Sequence, residues 1–149
     1  MMNLQELQTV LTNHLPIKLF VINNQGYHSI RQTQNNLFSG HSKVGIGPES
    51  GDLSFPDYGK LAVAFGYPYL AARSNEEMKE LVDRVLEHDG AVFCEIFVSP
   101  EQVFEPKSGT KNLEDGSLFS PPLEDLTPFL PKEEIRSNLF ITPLAEYEK

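Results

Sequence analysis

Residues 17–26 of this 149-residue chain read IKLFVINNQG, and they carry the clearest fold signal in the sequence. Residues 17–22 are rich in β-branched and aromatic side chains, so they predict a strand, and the Asn-Asn-Gln-Gly sequence after them predicts a tight turn. A helix is predicted before the strand, over residues 3–14, because leucines recur there at three- and four-residue steps until Pro16. A nearly continuous apolar strand after an amphipathic helix is typical of a parallel sheet covered on both faces.

The same alternation of helix and strand continues along the chain. Ser54 and Ser74 are predicted helix caps, and Gly66 and Gly90 are predicted helix ends. The resulting elements are a helix over 54–66, a strand over 67–72, a helix over 74–90 and a strand over 91–98. The sequence therefore predicts an α/β fold, an open parallel sheet with flanking helices joined by right-handed crossovers.

Two segments lack regular apolar spacing. Residues 27–53 are polar and glycine-rich and are predicted to form a long functional loop. Seven of the 11 prolines and ten of the 21 acidic residues lie in the last 51 positions. We therefore expect a domain over residues 1–106 and an extended proline-rich acidic C-terminal tail over residues 107–149, with short helical turns near 123–126 and 132–137.

Composition excludes several classes of protein. The net charge of −9 argues against nucleic-acid binding, since phosphate contacts need Lys or Arg side chains. The longest apolar stretch, residues 61–72, is interrupted by Gly66 and Pro68, so no membrane span is predicted. Cys94 is the single cysteine and has apolar neighbours, which predicts a buried, unreactive thiol and a cytoplasmic location.

Few residues stand out as carriers of chemistry. The Asn24 amide and the carbonyl of Gln25 or Gly26 are hard oxygen donors that suit Mg²⁺, although such a sequence is more often a plain turn. His28 and His41 lie in the long loop, where they are either solvated or able to reach a ligand. No histidine pair has zinc-ligand spacing.

Two other features are interpreted as structural. Residues 45–51 have the look of a glycine-rich phosphate loop, but they lack the third glycine and a preceding strand, which favours an ordinary loop. Glu95 interrupts a buried strand, so we expect it to form an ion pair with a Lys or Arg.

Three segments, residues 3–9, 17–27 and 55–66, resemble the C-terminal thiamine-diphosphate-binding domain of acetolactate synthase-type enzymes. The resemblance covers residues 2–106. It implies that Asn23-Asn24 closes the cofactor motif, with the Asn24 side chain and the Gly26 carbonyl as Mg²⁺ ligands and Tyr27 and His28 near the diphosphate. The Gly-Asp-Gly sequence that opens the family motif would fall immediately before Met1.

The resemblance also implies a function. The parent enzyme would decarboxylate a small 2-keto acid and transfer the two-carbon unit to a second carbonyl compound, with thiamine diphosphate and Mg²⁺ as cofactors. Without the motif aspartate, we expect this chain to be a fragment that has no turnover alone. The absent family strand would leave Leu19, Val21 and their backbone edge uncovered, to be covered in a homo-oligomer or by the missing N-terminal part of the enzyme.

Two other functions remain open from the residues. The chain could be a non-catalytic interaction module or a split subunit that completes a cofactor site with a partner chain. It could also be a small α/β domain that binds another nucleotide.

Overall fold

The computed structural model describes residues 3–38 and 43–142, so His41 lies outside the described residues. Its helices are α1 (Glu6–Thr12), α2 (His28–Leu37), α3 (Tyr58–Phe65), α4 (Asn75–Glu87) and α5 (Lys132–Asn138), with a 3₁₀ turn at Pro48–Ser50. Its strands are β1 (Lys18–Asn23), β2 (Tyr69–Ala72), β3 (Val92–Phe97), β4 (Lys111–Asn112) and β5 (Leu118–Phe119). None of these helices is long and apolar enough to cross a membrane.

The described residues fall into two compact units. The first comprises the described parts of residues 1–28 and 44–102, and the second those of residues 29–43 and 103–149. The first unit holds a parallel sheet in the order β1-β3-β2, with Leu19 and Tyr69 both opposite Phe93. The predicted α/β fold with an open parallel sheet is confirmed.

Each face of this sheet has its own core. On one face Val92 and Cys94 of β3 pack with Leu81 and Val85 of α4 and with Ala72. On the other face the buried residues are Ala62, Tyr67 and Phe93, and half-buried side chains of α1 and α3 pack against them. Cys94 is buried as predicted, and burial raises the pKa of its thiol, so little reactive thiolate forms at neutral pH.

Helix α2 lies inside the segment predicted to be a loop, so that prediction is wrong over residues 28–37. The helix was not predicted from apolar spacing because the side chains at its buried positions are polar. His28, Arg31 and Gln32 are buried and follow the i, i+3, i+4 spacing of one helix face. Within the second unit, the Gln32 amide donates to the carbonyl of Phe104 at 3.2 Å and accepts from its N–H at 3.4 Å.

The start of α3 also differs from the prediction. Asp57, rather than Ser54, caps the helix, because its carboxylate accepts a hydrogen bond from the Lys60 N–H at 3.0 Å. The predicted cap Ser74 is confirmed at the start of α4, where its hydroxyl accepts from the Glu77 N–H at 3.4 Å.

The second unit contains more structure than an extended tail. Helix α5 confirms the predicted helical turn near 132–137, whereas the antiparallel β4–β5 pair was not predicted. The ammonium of Lys111, on β4, pairs with the carboxylate of Asp125 at 2.6 Å and lies 4.2 Å from the centre of the Phe129 ring. Since both ions are largely shielded from water, this pair ties the hairpin to the following segment.

Strand β1 is an edge of the sheet, since among the described residues its only strand neighbour is β3. No described strand pairs with the outer side of β1. The prediction for Leu19 and Val21 is wrong, because both are half-buried against the Phe93 cluster. Alternation along the strand instead exposes Phe20 and Ile22, by 39% and 57%, on the face where α4 covers β2 and β3.

Replacing Lys18 with methionine is expected to destabilise the first unit by about 1.5–3 kcal/mol. The Lys18 ammonium donates to the carbonyls of His88 and Gly90, each at 2.5 Å, where α4 ends, and methionine leaves these carbonyls without that donor. Urea unfolding followed by circular dichroism measures the change. The control is Lys79→Met, which removes an exposed ion pair with Asp83 and should cost much less, because solvent screens that pair. Equal costs for the two variants would contradict the capping role.

Candidate functional site

The Asn-Asn-Gln-Gly turn lies at the carboxyl end of β1, the edge at which parallel α/β sheets bind ligands. Two side chains of the turn fold back on its backbone. The Asn23 Oδ1 atom accepts from the Gln25 N–H at 3.0 Å, and the Asn24 Oδ1 atom accepts from the Gly26 N–H at 3.3 Å. These bonds hold Gln25 at φ +57°, a left-handed backbone conformation that residues other than glycine adopt only when local contacts stabilise it.

A buried carboxylate lies beneath this turn. Glu95, on the central strand β3, is only 3% exposed. Its Oε1 atom accepts from the Asn23 Nδ2 group at 2.5 Å, and its Oε2 atom accepts from the Tyr69 hydroxyl at 2.5 Å. The predicted ion pair with Lys or Arg is therefore wrong, because two neutral donors from the flanking strands β1 and β2 satisfy the carboxylate instead.

The loop over residues 44–47 packs against the other side of the turn. The Tyr27 N–H donates to the carbonyl of Ile46, which is fully buried, at 2.7 Å. A Cβ atom placed on Gly47 would lie 2.6 Å from the Gln25 carbonyl oxygen and 3.2 Å from the Gly26 Cα atom. The lack of a side chain at Gly47 thus allows two backbone segments to come into contact. This role was not predicted, and the only signal for it in the sequence is the glycine-rich composition of residues 45–51.

Ser50 and Asp52 hold this loop in shape. The Ser50 hydroxyl oxygen accepts from the N–H groups of Ile46 and Gly47, both at 3.2 Å, and the Asp52 carboxylate accepts from the Gly45 N–H at 2.8 Å. The hydrogen bond from the Ser50 hydroxyl and the one from Gly45 lower the pKa of the Asp52 carboxyl. The loop that supports the turn is therefore internally braced.

The four residues predicted to bind the cofactor form one continuous segment. Asn24 and Gly26 are half-buried in the turn, Tyr27 is exposed, and His28 is buried at the first position of α2. The Tyr27 ring meets the Phe55 ring edge to face, with centroids 5.7 Å apart. The structure thus keeps Asn24, Gly26 and Tyr27 together at the sheet edge and supports them from Gly47 and Phe55.

The donors present fit one half of a site for Mg²⁺ and a diphosphate. The Asn24 amide and the Gly26 carbonyl are neutral oxygen donors of the kind that Mg²⁺ accepts. Within residues 3–38 and 43–142, no group of three acidic, histidine or cysteine side chains comes together as a metal site. Glu95 is the carboxylate bound to this turn, but Asn23 and Tyr69 occupy both of its oxygens. A tight cation site would need a further carboxylate.

The buried network of Asn23, Glu95 and Tyr69 predicts a pH dependence of the free energy of unfolding. Burial, together with the hydrogen bond to Glu95 and its charge, raises the pKa of Tyr69 to about 12 from 10.0. Because the folded pKa is the higher one, this stabilisation is complete below pH 10 and is lost as pH rises from about 10 to about 12. The Tyr69→Phe variant should lack this part of the alkaline loss.

Denaturant unfolding of both proteins across this pH range measures the difference, and the ultraviolet absorbance of tyrosinate reports the late ionisation directly. Tyr67 and Tyr58 also have raised pKa values, mainly from burial, so the variant isolates the contribution of Tyr69. Identical alkaline profiles for the two proteins would contradict the assignment.

Comparison with known proteins shows which family this sequence resembles. Residues 1–96 match the family model described as thiamine pyrophosphate enzyme, C-terminal TPP binding domain. The chain is 28% identical over 105 residues to acetolactate synthase 1, chloroplastic, of Zea mays, a match that covers 68% of this chain and 16% of the relative. It is 29% identical over 104 residues to the acetolactate synthase large subunit of Cyanidium caldarium, covering 68% of this chain and 17% of the relative. The chain thus spans about a sixth of the length of these relatives.

Proposed function

Because this chain belongs to the thiamine pyrophosphate enzymes, as their C-terminal TPP-binding domain, we propose that its Asn23–Gly26 turn is one half of a thiamine diphosphate site. The observation that carries the proposal is the position of this turn at the carboxyl edge of the parallel sheet, braced by Glu95 and by the Gly47 loop. The family resemblance found in the sequence agrees with the matched family model.

The proposed binding uses the oxygens already in place. The Asn24 side chain and the Gly26 carbonyl would hold Mg²⁺, and Tyr27 and His28 would lie near the diphosphate. When bound, thiamine diphosphate supplies an electron sink for the carbanion formed as a 2-keto acid loses carbon dioxide. Since two neutral oxygens compete poorly with the hydration shell of Mg²⁺, a carboxylate from another polypeptide segment would be needed for tight binding.

The activity proposed for the complete enzyme is decarboxylation of a small 2-keto acid and transfer of the two-carbon unit to a second carbonyl compound. Acetolactate synthase is the printed name of the relatives that support it. For the 149-residue chain alone we propose no turnover, because the neutral turn provides neither a charged cation ligand nor an acid to protonate the cofactor. Acetolactate formation from pyruvate by the purified chain would overturn this proposal.

Thermal unfolding with and without ligand tests the binding half of the proposal. Thiamine diphosphate with Mg²⁺ at about ten times its Kd should stabilise the chain by about 1.4 kcal/mol, an increase of about 3–6 °C in Tm. The Asn24→Ala variant should lose this increase, because a proposed cation ligand is gone. The control Asn36→Ala, an exposed position of α2, should keep it. An equal response to adenine nucleotides with Mg²⁺ would instead favour a general nucleotide-binding domain.

A second candidate function is a split subunit or interaction module, and the open edge of β1 favours it. Phe20 and Ile22 are exposed beside that edge, and an added strand would cover both the backbone groups and these side chains. The occupant would be a second copy of this chain or the polypeptide that carries the rest of the enzyme.

Measurement of molecular mass in solution tests this second candidate. A dimer of the wild-type chain that becomes a monomer in the Phe20→Ser/Ile22→Ser variant would support association through this edge. A wild-type monomer that also fails to co-purify with a larger thiamine diphosphate-dependent chain would contradict it.

A further inference from the structure

We infer that Glu95 is a positioning residue for the Asn23–Gly26 turn: it fixes the orientation of the Asn23 amide, and that amide sets the turn that would present Asn24 and Gly26. The inference rests on the proposed function for its biological meaning. Its physical content, control of the turn by a buried carboxylate on the neighbouring strand, is measurable without any ligand.

The first step concerns the hydrogen bonds that the Glu95 carboxylate can form. An ionised carboxylate can only accept hydrogen bonds, so it selects the Nδ2 group of Asn23 and turns the Oδ1 atom away. The Oδ1 atom then faces the turn and accepts from the Gln25 N–H. If the Asn23 amide were reversed, an oxygen would face Glu95 and an N–H group would face the Gln25 N–H, which would lose both bonds.

The second step concerns why Glu95 stays in place. Register pairs Val21 with Glu95, so Asn23 lies two residues further along β1 on the same face of the sheet. The Tyr69 hydroxyl, from β2, holds the second oxygen of the carboxylate. Strand register and nearly complete burial therefore fix the carboxylate on the central strand, and the Tyr69 hydroxyl satisfies the oxygen that Asn23 does not use.

The third step links the amide to the proposed ligands. The Gln25 backbone at φ +57° needs local support, and the hydrogen bond to Asn23 supplies it. The Gln25 carbonyl also lies against Gly47, so a change in this peptide would disturb a tight backbone contact. Loss of the Asn23 bond should therefore loosen the segment in which the Asn24 amide and the Gly26 carbonyl lie.

Exchanging the amide at position 23 and the carboxylate at position 95 tests the inference in the intact chain. Asn23→Asp removes the Nδ2 donor and places a second carboxylate against Glu95. Repulsion between the two carboxylates should displace the side chain of residue 23 from the Gln25 N–H and speed hydrogen exchange of that amide about tenfold. Adding Glu95→Gln to this variant restores a donor–acceptor pair, because the new amide on β3 can donate to the new carboxylate on β1 while its oxygen accepts from Tyr69. The double variant should return to within about threefold of the wild-type rate.

Tyr69→Phe serves as the control, since it removes a hydrogen bond from the same carboxylate and leaves the Asn23 bond in place. It should change the exchange rate of the Gln25 amide by less than about threefold after correction for global stability, measured from amides of α4. A purely structural role of the network would make Tyr69→Phe as disruptive as Asn23→Asp and would give no recovery in the double variant. Either result would overturn the inference.

A ligand measurement separates this inference from the proposed function. Asn23→Asp should also lose the increase in Tm caused by thiamine diphosphate with Mg²⁺, and the double variant should regain it. Absence of any increase in the wild type would contradict the proposed function, while the exchange rates would still decide the role of Glu95. An Asn23→Asp variant with rapid exchange but an unchanged ligand response would overturn the link between this turn and the cofactor.

Discussion

The Phe93→Ala variant is expected to lose about 3–5 kcal/mol of unfolding free energy, much of the total stability of a domain of this size. Phe93 is 3% exposed on the central strand. Its ring meets the Tyr67 ring edge to face, with centroids 6.3 Å apart, and lies 6.4 Å from the Tyr69 ring. The ring projects from the sheet face toward α1 and α3, and the hydrogen-bonded strands beneath it cannot collapse into the space it leaves, so the cavity adds to the lost burial.

A matched control for this variant is Phe20→Ala. Phe20 lies on the adjacent strand of the same sheet but is 39% exposed, so its truncation should cost about 1 kcal/mol. Urea unfolding followed by circular dichroism gives both values. Comparable costs for the two substitutions would show that the core is not centred on β3, contrary to the arrangement described above.

The Gly47→Ala variant is expected to lose about 1–3 kcal/mol and, in addition, the response to thiamine diphosphate with Mg²⁺. Gly47 has φ 161°, an extended backbone that alanine adopts readily, so the cost arises from contact rather than from backbone strain. The new Cβ atom would lie 2.6 Å from the Gln25 carbonyl oxygen and 3.2 Å from the Phe55 ring. The turn must shift to relieve this overlap, and the shift moves the proposed ligands on Asn24 and Gly26.

Gly116→Ala provides the complementary control, because Gly116 has φ +80° with open space around its Cα atom. That substitution should cost about 1 kcal/mol through backbone strain alone and should leave the ligand response unchanged. Thermal unfolding with and without ligand compares the two variants. A Gly47→Ala protein with the stability and ligand response of the wild type would show that residues 44–47 do not support the turn.

Apolar spacing explains most of what could be predicted about the fold. The three strands of the parallel sheet and helices α1, α3 and α4 all carry regular apolar positions, and each was predicted within a few residues of its observed bounds. Helix α2 was missed because its buried face consists of His28, Arg31 and Gln32, which a count of apolar residues cannot register. Strands β4 and β5 were missed because two residues each are too few to show alternation.

For the candidate site too, local features could be predicted from the sequence and long-range contacts could not. The sequence located the Asn-Asn-Gln-Gly turn and its family, because strand, turn residues and motif spacing are all local features. It did not identify the partners of that turn, since Glu95 lies 72 residues beyond Asn23 and Gly47 acts only through close approach to Gln25.

The sequence by itself therefore determined the α/β fold, the position of the turn at a strand end and the membership of the thiamine pyrophosphate enzymes. Only the tertiary structure decided that Glu95 is satisfied by Asn23 and Tyr69 rather than by a cation, and that Phe20 and Ile22 are the side chains beside the open edge. The physical reason is that local pattern dictates which segments become helices and strands. The partner of a buried polar group depends instead on strand order and register, which bring distant residues together.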